Sequence, residues 1–394
     1  MVAEKMAELG RHSSKIRQIA EYGRARKLEI GEENVFDFSL GNPSIPAPDA
    51  VKEALISLIA DTPAEILHGY TSSAGDHGVR KSIAGYIEKT YGAKADASLI
   101  YMTCGAAASL CIAFGALIEE GDEVIVPSPY FPEYKVFIEK AGGKFVAVPC
   151  KSGTFRLDAE AIKNAVNPKT KLVLVNTPNN PTGAVYPEED IKALAAVLKA
   201  KEKEFGKEIY LLSDEPYREL FYGEGILPFI PNYYDDSIVA YSYSQSLSRP
   251  GERIGYLFVS PNCRNSDDVF NAVCGAGRSL GYVCAPALFQ RLIPSVLGVT
   301  SDLAEYRENR KILLESLTRM GYELTPPDGA FYLFVKSPEP DADAFCEKAK
   351  KHEILLVPSD DFGVKGYARL AYCTSKTTVL KSLAAFEALM KEYR

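Results

Sequence analysis

Apolar residues recur along the chain in short unbroken runs, each closed by Gly, Pro, Asn, Asp or Ser. This is the pattern of strands buried on both faces. The runs lie at Leu99–Thr103, Glu123–Pro127, Lys144–Val148, Lys171–Val175, Ile209–Ser213, Ile238–Ser242 and Gly255–Val259. Helical periodicity fills several of the gaps, at Ala106–Ile118, Glu133–Ala141, Asp158–Ala165 and Glu188–Phe205. Strands separated by helices of that length imply an α/β fold, with a mostly parallel seven-stranded sheet covered by helices. Ligands of such sheets bind beyond the carboxyl ends of the strands, so the loops after these runs are where chemistry is expected.

The last hundred residues are patterned differently. A long helix from about Ser301 to Met320 precedes a strand at Phe331–Val335. A helix near Ala342–His352, a strand near Tyr367–Tyr372 and a terminal helix from about Thr377 to Glu392 follow. The expected division is an N-terminal arm with part of a small domain at 1–48, a large domain at 49–290, and a small α+β domain at 291–394. The arm joins the small domain or embraces a partner.

At 394 residues, with 46% hydrophobic and 25% charged residues, the chain has the make-up of a folded globular protein, not a disordered or fibrous one. Its net charge of -7 and lack of a basic stripe argue against nucleic acid. No apolar run nears the roughly 18 residues of a membrane span, and the charged, helix-periodic start has no signal-peptide core. A cytoplasmic location is expected, with no membrane partner. The eight cysteines, among them Cys104, Cys150 and Cys373, form no C-x-x-C pair and have no nearby His. Buried free thiols are the expectation, and no metal site is read. The four histidines, His12, His68, His77 and His352, make neither H-E-x-x-H nor any evident nucleophile pair. An enzyme with this sequence needs chemistry from another source.

Four segments at the strand ends supply a candidate. They are Thr103-Cys104-Gly105-Ala106-Ala107, Asn176 to Gly183 (NTPNNPTG), Ser213-Asp214-Glu215-Pro216-Tyr217, and Ser242-Tyr243-Ser244-Gln245 followed by Pro250 to Tyr256 (PGERIGY). In this order and spacing the series resembles the fold-type-I pyridoxal-phosphate aminotransferases of class I/II, in their bacterial aspartate-aminotransferase-like branch. The resemblance spans essentially the whole chain.

It implies pyridoxal 5'-phosphate as cofactor, an amino acid and a 2-oxo acid as ping-pong substrates, and a homodimer with shared active sites. Gly105, Ala106 and Ala107 would hold the cofactor phosphate. Small residues opening a helix let an anion approach its first N–H groups, although such a turn also serves plain helix–strand packing. Ser242 and Arg253 would add phosphate ligands, since Arg offers a fixed fork of donors to a dianion. Tyr70, in His68-Gly69-Tyr70-Thr71, would reach the phosphate from the neighbouring subunit, or else pack within its own chain. Asp214 would face the pyridine nitrogen and keep it protonated, which sustains the ring as an electron sink. Helix capping is its alternative. Asn180 and Tyr217 would contact the phenolic oxygen, although Asn180-Pro181-Thr182-Gly183 also reads as an ordinary turn. Phe131 would stack on the ring, or be a core residue. Arg369 would clamp the substrate carboxylate, with Gly41 supplying a backbone contact and Asn180 a further one.

One position departs from the family. Its lysine, which forms the Schiff base and moves the α-proton, is replaced by Gln245. An amide nitrogen is neither nucleophilic nor basic near neutrality, and loss of a positioned proton carrier costs roughly 10²–10⁴ in rate. The expectation is therefore an aminotransferase that is inactive or severely impaired. It would hold its cofactor non-covalently or as the imine of a bound amino acid, the external aldimine. Two alternatives stay open on the same scaffold: a C–S lyase or other α-carbon chemistry, and a naturally silent ligand-binding relative. The intact surroundings favour a recent or engineered loss at 245 over a long-silent chain.

Overall fold

The computed structural model describes residues 2–11 and 14–394, so His12 lies outside the described residues. Thirteen strands are present among them. They are β1 (Phe36–Asp37), β2 (Ile100–Thr103), β3 (Glu123–Ser128), β4 (Lys144–Pro149), β5 (Thr170–Asn176), β6 (Tyr210–Asp214), β7 (Ser237–Ser242), β8 (Gly255–Val259), β9 (Leu324–Thr325), β10 (Tyr332–Lys336), β11 (Ile354–Leu355), β12 (Val357–Pro358) and β13 (Tyr367–Ala371).

Seven of them form one sheet in the order β2-β8-β7-β6-β5-β3-β4. Only β8 opposes its neighbours, β2 and β7; the other pairs are parallel. These are the seven apolar runs, each end within one residue of its expected place. The runs are unbroken because both faces are covered. Val124, Val126, Leu172 and Leu174 pack on one side, with Leu110 and Phe114 of the Ala106–Leu117 helix. Ile125, Val173 and Val175 pack on the other, with Ile191, Leu194 and Leu198 of the Glu188–Phe205 helix. Each such side chain, fully buried, is worth about 1.5–3 kcal/mol in apolar surface removed from water. β4, at the sheet edge, is the strand whose side chains remain largely accessible.

A second, antiparallel sheet runs β12-β13-β10-β9 and packs around Phe331, Leu333, Leu370 and Tyr372. β1 pairs with β11 in parallel, and the Lys15–Ile30 helix is fastened beside it by Arg26–Glu353 and Lys27–Asp37 ion pairs. Helices at Asp49–Asp61, His77–Tyr91, Ser266–Ser279 and Ala287–Val296 complete the cover. No described helix is long and apolar enough to cross a membrane.

Candidate active site

Because β2, β3, β5, β6 and β7 run in one direction, their carboxyl ends open on one edge of the sheet. A cleft of about 230 Å³ lies there, bordered by Ala106, Ala107, Phe131, Asn180, Asp214 and Tyr217, and by Gly41, Tyr332 and Arg369 from the second sheet's side. The structure thus brings together residues spread over more than 300 positions.

After β2 the chain turns at Gly105, whose φ of 88° suits glycine, and enters the Ala106–Leu117 helix. Ser109 N–H donates to Gly105 O at 3.1 Å, and the Thr103 and Ser109 hydroxyls pair at 2.7 Å, which fixes the turn. A Cβ on Gly105 would come within 2.7 Å of Arg253 Nη2. That guanidinium donates to Cys104 O at 3.0 Å and to Ser244 Oγ at 3.3 Å, and Ser244 Oγ in turn pairs with Ser242 Oγ at 2.7 Å. An arginine fork, two hydroxyls and the free N–H groups of a helix start therefore converge on a glycine turn.

Asp214 ends β6 and is 4% exposed. Its Oδ2 accepts from Tyr134 Oη at 2.5 Å, whereas Oδ1 is closed off from solvent and has no partner. Burial pushes its pKa up to about 7; the Tyr134 hydrogen bond opposes this, and the neighbouring Glu215 adds to it. Asn176, at the end of β5, ties the strand ends together. Its Nδ2 donates to Asp214 O at 2.9 Å, and its Oδ1 accepts from Asn180 N–H at 2.8 Å. Tyr217 Oη pairs with Tyr332 Oη at 2.8 Å, and burial holds the Tyr217 hydroxyl well above its usual range. Phe131 meets the Tyr134 ring edge-on at 5.5 Å.

Arg369, on β13, is 2% exposed. It donates to Asn180 Oδ1 at 3.0 Å and to Ser39 O at 2.5 Å, both uncharged acceptors. Its Nε has no hydrogen-bond partner among the described residues, and none of its bonds is to a carboxylate. A buried guanidinium without an anion is costly unless a ligand supplies one. Gly41 borders the same space, and a Cβ there would collide with the Tyr332 hydroxyl.

Gln245 lies in the four-residue Tyr243–Ser246 helix after β7, and its Oε1 is inaccessible and unpartnered. Gly105, Ser242, Gln245 and Arg253 do not line the cleft itself but adjoin it through the glycine turn and the end of β7, whereas Tyr70 is 87% exposed and outside the cleft of its own chain. The chain also places Tyr134, Asn176, Tyr332, Ser244 and Ile16 at or beside the cleft, where sequence reasoning assigned no role. Asn176 and Ser244 lie inside the strand-end segments; Tyr134, Tyr332 and Ile16 carry no local signal.

Residues 33–386 match the family model for aminotransferase class I and II. The chain belongs to that family. The aspartate/prephenate aminotransferase of Thermus thermophilus is 32% identical over 377 residues, covering 92% of this chain and 93% of the relative. A crystal structure of an amino transferase from Eubacterium rectale superposes with a TM-score of 0.97 at 49% identity, covering 100% of this chain and 99% of that one. The Thermus thermophilus aspartate aminotransferase with maleate superposes at 0.86 with 27% identity, covering 99% of each.

Members of this aminotransferase family use pyridoxal phosphate, and the cleft suits that group. Asp214 Oδ1 needs a cationic N–H donor, which a protonated pyridine is. The Gly105 turn with Arg253 and Ser242 suits a phosphate dianion. The unpaired Arg369 suits a carboxylate.

Proposed function

We propose that this aminotransferase transfers amino groups between an amino acid and a 2-oxo acid only weakly or not at all, because Gln245 occupies the position of the cofactor-anchoring lysine. Within that reading, the Gly105–Ala107 turn, Ser242 and Arg253 hold the cofactor phosphate. Asp214, steadied by Tyr134, keeps the pyridine nitrogen protonated. Tyr217 and Asn180 donate toward the phenolic oxygen, and Phe131 covers the ring face. Arg369 and the Gly41 backbone orient the substrate carboxylate. Pyridoxal phosphate, when bound, supplies an electron-withdrawing ring that makes the proton on the substrate α-carbon removable. Moving that proton calls for a basic nitrogen beside the carbon, and the Gln245 amide has none.

The observation that carries the reading is the pair of unanswered charges across one cleft: Asp214 Oδ1 without a cation and Arg369 without an anion. They match the two ends of an amino acid joined to a pyridinium ring. Tyr70 supports a two-fold dimer with shared sites. Ile56, Ile59 and Ile66, shortly before it in the chain, are exposed as well, and a second copy would cover such apolar side chains. The division at about residues 48 and 290 belongs to the same proposal, with the cleft between large and small domains.

Substituting Gln245→Lys tests the function. That variant, loaded with pyridoxal phosphate, should convert amino acid to 2-oxo acid in a single half-reaction, faster than the parent by several orders of magnitude. Thiol release from a cysteine conjugate without 2-oxo acid exchange would point to the lyase alternative and overturn the transfer reading.

A further inference from the structure

A second, much smaller cavity, with room for about 10 Å³ and so for one water-sized sphere, lies behind the helix that carries Gln245. Glu219, Tyr241, Tyr243, Tyr256 and Ser246 line it, together with the backbone turn around Gly298. Tyr241 Oη donates to Glu219 Oε1 at 2.7 Å and lies 3.3 Å from Ser246 Oγ. The second carboxylate oxygen, Glu219 Oε2, is closed off from solvent and has no hydrogen-bond partner.

The adjacent cation does not answer it. Arg218 donates through Nε to Glu215 at 2.5 Å, and through its Nη atoms to Leu227 O at 3.1 Å and Pro228 O at 3.0 Å. Its charge is shared with a different carboxylate and its donors point to carbonyls. None of the described Lys, Arg or His residues lines the cavity. Burial pushes the Glu219 carboxyl above the usual carboxylate range, with the Tyr241 hydrogen bond and the Arg218 charge pulling the other way.

We propose that this cavity binds a single monovalent cation of the size of potassium or ammonium, with Glu219 Oε2 as the charged ligand and the Tyr241 and Ser246 hydroxyls as neutral ones. A lone buried carboxylate oxygen is expensive, and a cation removes the expense. Magnesium and calcium demand a fuller oxygen shell and keep their water tightly. Here there is one carboxylate, and no group of three or more His, Cys, Asp or Glu among the described residues is placed to hold a metal. Tyrosine walls favour a weakly hydrated cation over a strongly hydrated one. Because Ser246 closes the short Tyr243–Ser246 helix, an occupant also braces the segment bearing residue 245. The proposal stands apart from the transfer reading, and its test uses the chain without cofactor or substrate.

Thermal unfolding is followed at one ionic strength in the chlorides of potassium, ammonium, lithium and tetramethylammonium. At tenfold excess over the dissociation constant, potassium and ammonium should raise the midpoint by about 2 °C for a chain of this length. Lithium, held by its hydration, and tetramethylammonium, too large for the cavity, should not. Glu219→Gln should abolish the difference. Should that variant not fold, Tyr241→Phe, which removes one hydroxyl ligand, should shrink it. Crystals soaked in thallium(I) should show an anomalous peak beside Glu219 Oε2. Equal midpoints in all four salts, a potassium effect that survives Glu219→Gln, or water alone beside Glu219 in the soaked crystals would overturn the proposal.

Discussion

Asp214→Asn should stabilise the cofactor-free chain at neutral and alkaline pH while weakening its grip on pyridoxal phosphate. Burial raises the Asp214 pKa from 3.8 to about 7. Below the unfolded value both states hold the proton. As pH climbs past it, the unfolded chain releases its proton while the folded chain keeps it, so stability falls through this window and the loss is complete above about pH 7. A shift of about three units at 1.36 kcal/mol each amounts to about 4 kcal/mol. Asn carries no charge to desolvate and still offers Tyr134 an acceptor. Urea unfolding of parent and variant across this window measures the difference directly. It should lie near zero at about pH 4, climb to about 4 kcal/mol by about pH 8, and then level off. In thermal unfolding the plateau corresponds to roughly 5 °C. Pyridoxal phosphate added at the upper pH should stabilise the parent far more than the variant. A pH-independent difference would refute the reasoning, because Asp214 would then not be a buried acid lacking its cation.

Arg369→Lys keeps the charge but loses the planar fork, so binding of an amino acid to the cofactor-loaded chain should weaken by about 1.5–3 kcal/mol, tenfold to over a hundredfold. The corresponding amide, titrated by calorimetry, should change little, and equal losses for both would contradict the carboxylate role. Gly105→Ala places a Cβ 2.7 Å from Arg253 Nη2 at a φ of 88°. By displacing the Arg253 fork it should lower affinity for pyridoxal phosphate by about tenfold to a hundredfold, the loss of one charged hydrogen bond of roughly 1.5–3 kcal/mol, and leave the weaker binding of phosphate-free pyridoxal unaltered in a fluorescence titration. In the Gln245→Lys background, mixed Tyr70→Phe and Arg369→Ala chains should regain activity above either parent if sites are shared between subunits. Activity at the parental average would place each site in one chain.

The parallel sheet was legible because its strands are buried on both faces. Val124 to Val126 and Leu172 to Val175 leave no polar position to interrupt them, so the runs and their ends could be read directly. The helices at Asp49–Asp61, His77–Tyr91, Ser266–Ser279 and Ala287–Val296 went unread. Gly78 and Gly85, Gly275 and Gly277, and Pro294 lie inside three of them and count against a helix in the sequence, while Asp49–Asp61 is short and mostly exposed. The paired stretches β1, β9, β11 and β12, two residues each, are too short to leave a period. At the site, the residues read in advance stand in loops whose composition is constrained locally, such as Asn176 to Gly183. Tyr134 and Tyr332 reach the cleft through tertiary packing, from a helix flank and from the second sheet, and nothing adjacent in sequence marks them. The unpartnered Glu219 oxygen likewise depends on two strands, β7 and β8, and on helices distant in sequence folding around it. Tyr70 is the reverse case: it was read from its segment, yet the single chain leaves it in solvent.

The central claim is that residue 245 is the anchoring position and that Gln245 leaves the cofactor unanchored. Borohydride reduction of the pyridoxal-phosphate-loaded chain, followed by intact mass and peptide mapping, tests this most directly. The Gln245 chain should keep its unmodified mass after denaturation, and Gln245→Lys should gain one phosphopyridoxyl group at residue 245. A stoichiometric adduct on any lysine of the Gln245 chain, or no adduct on the Lys variant, would contradict the account.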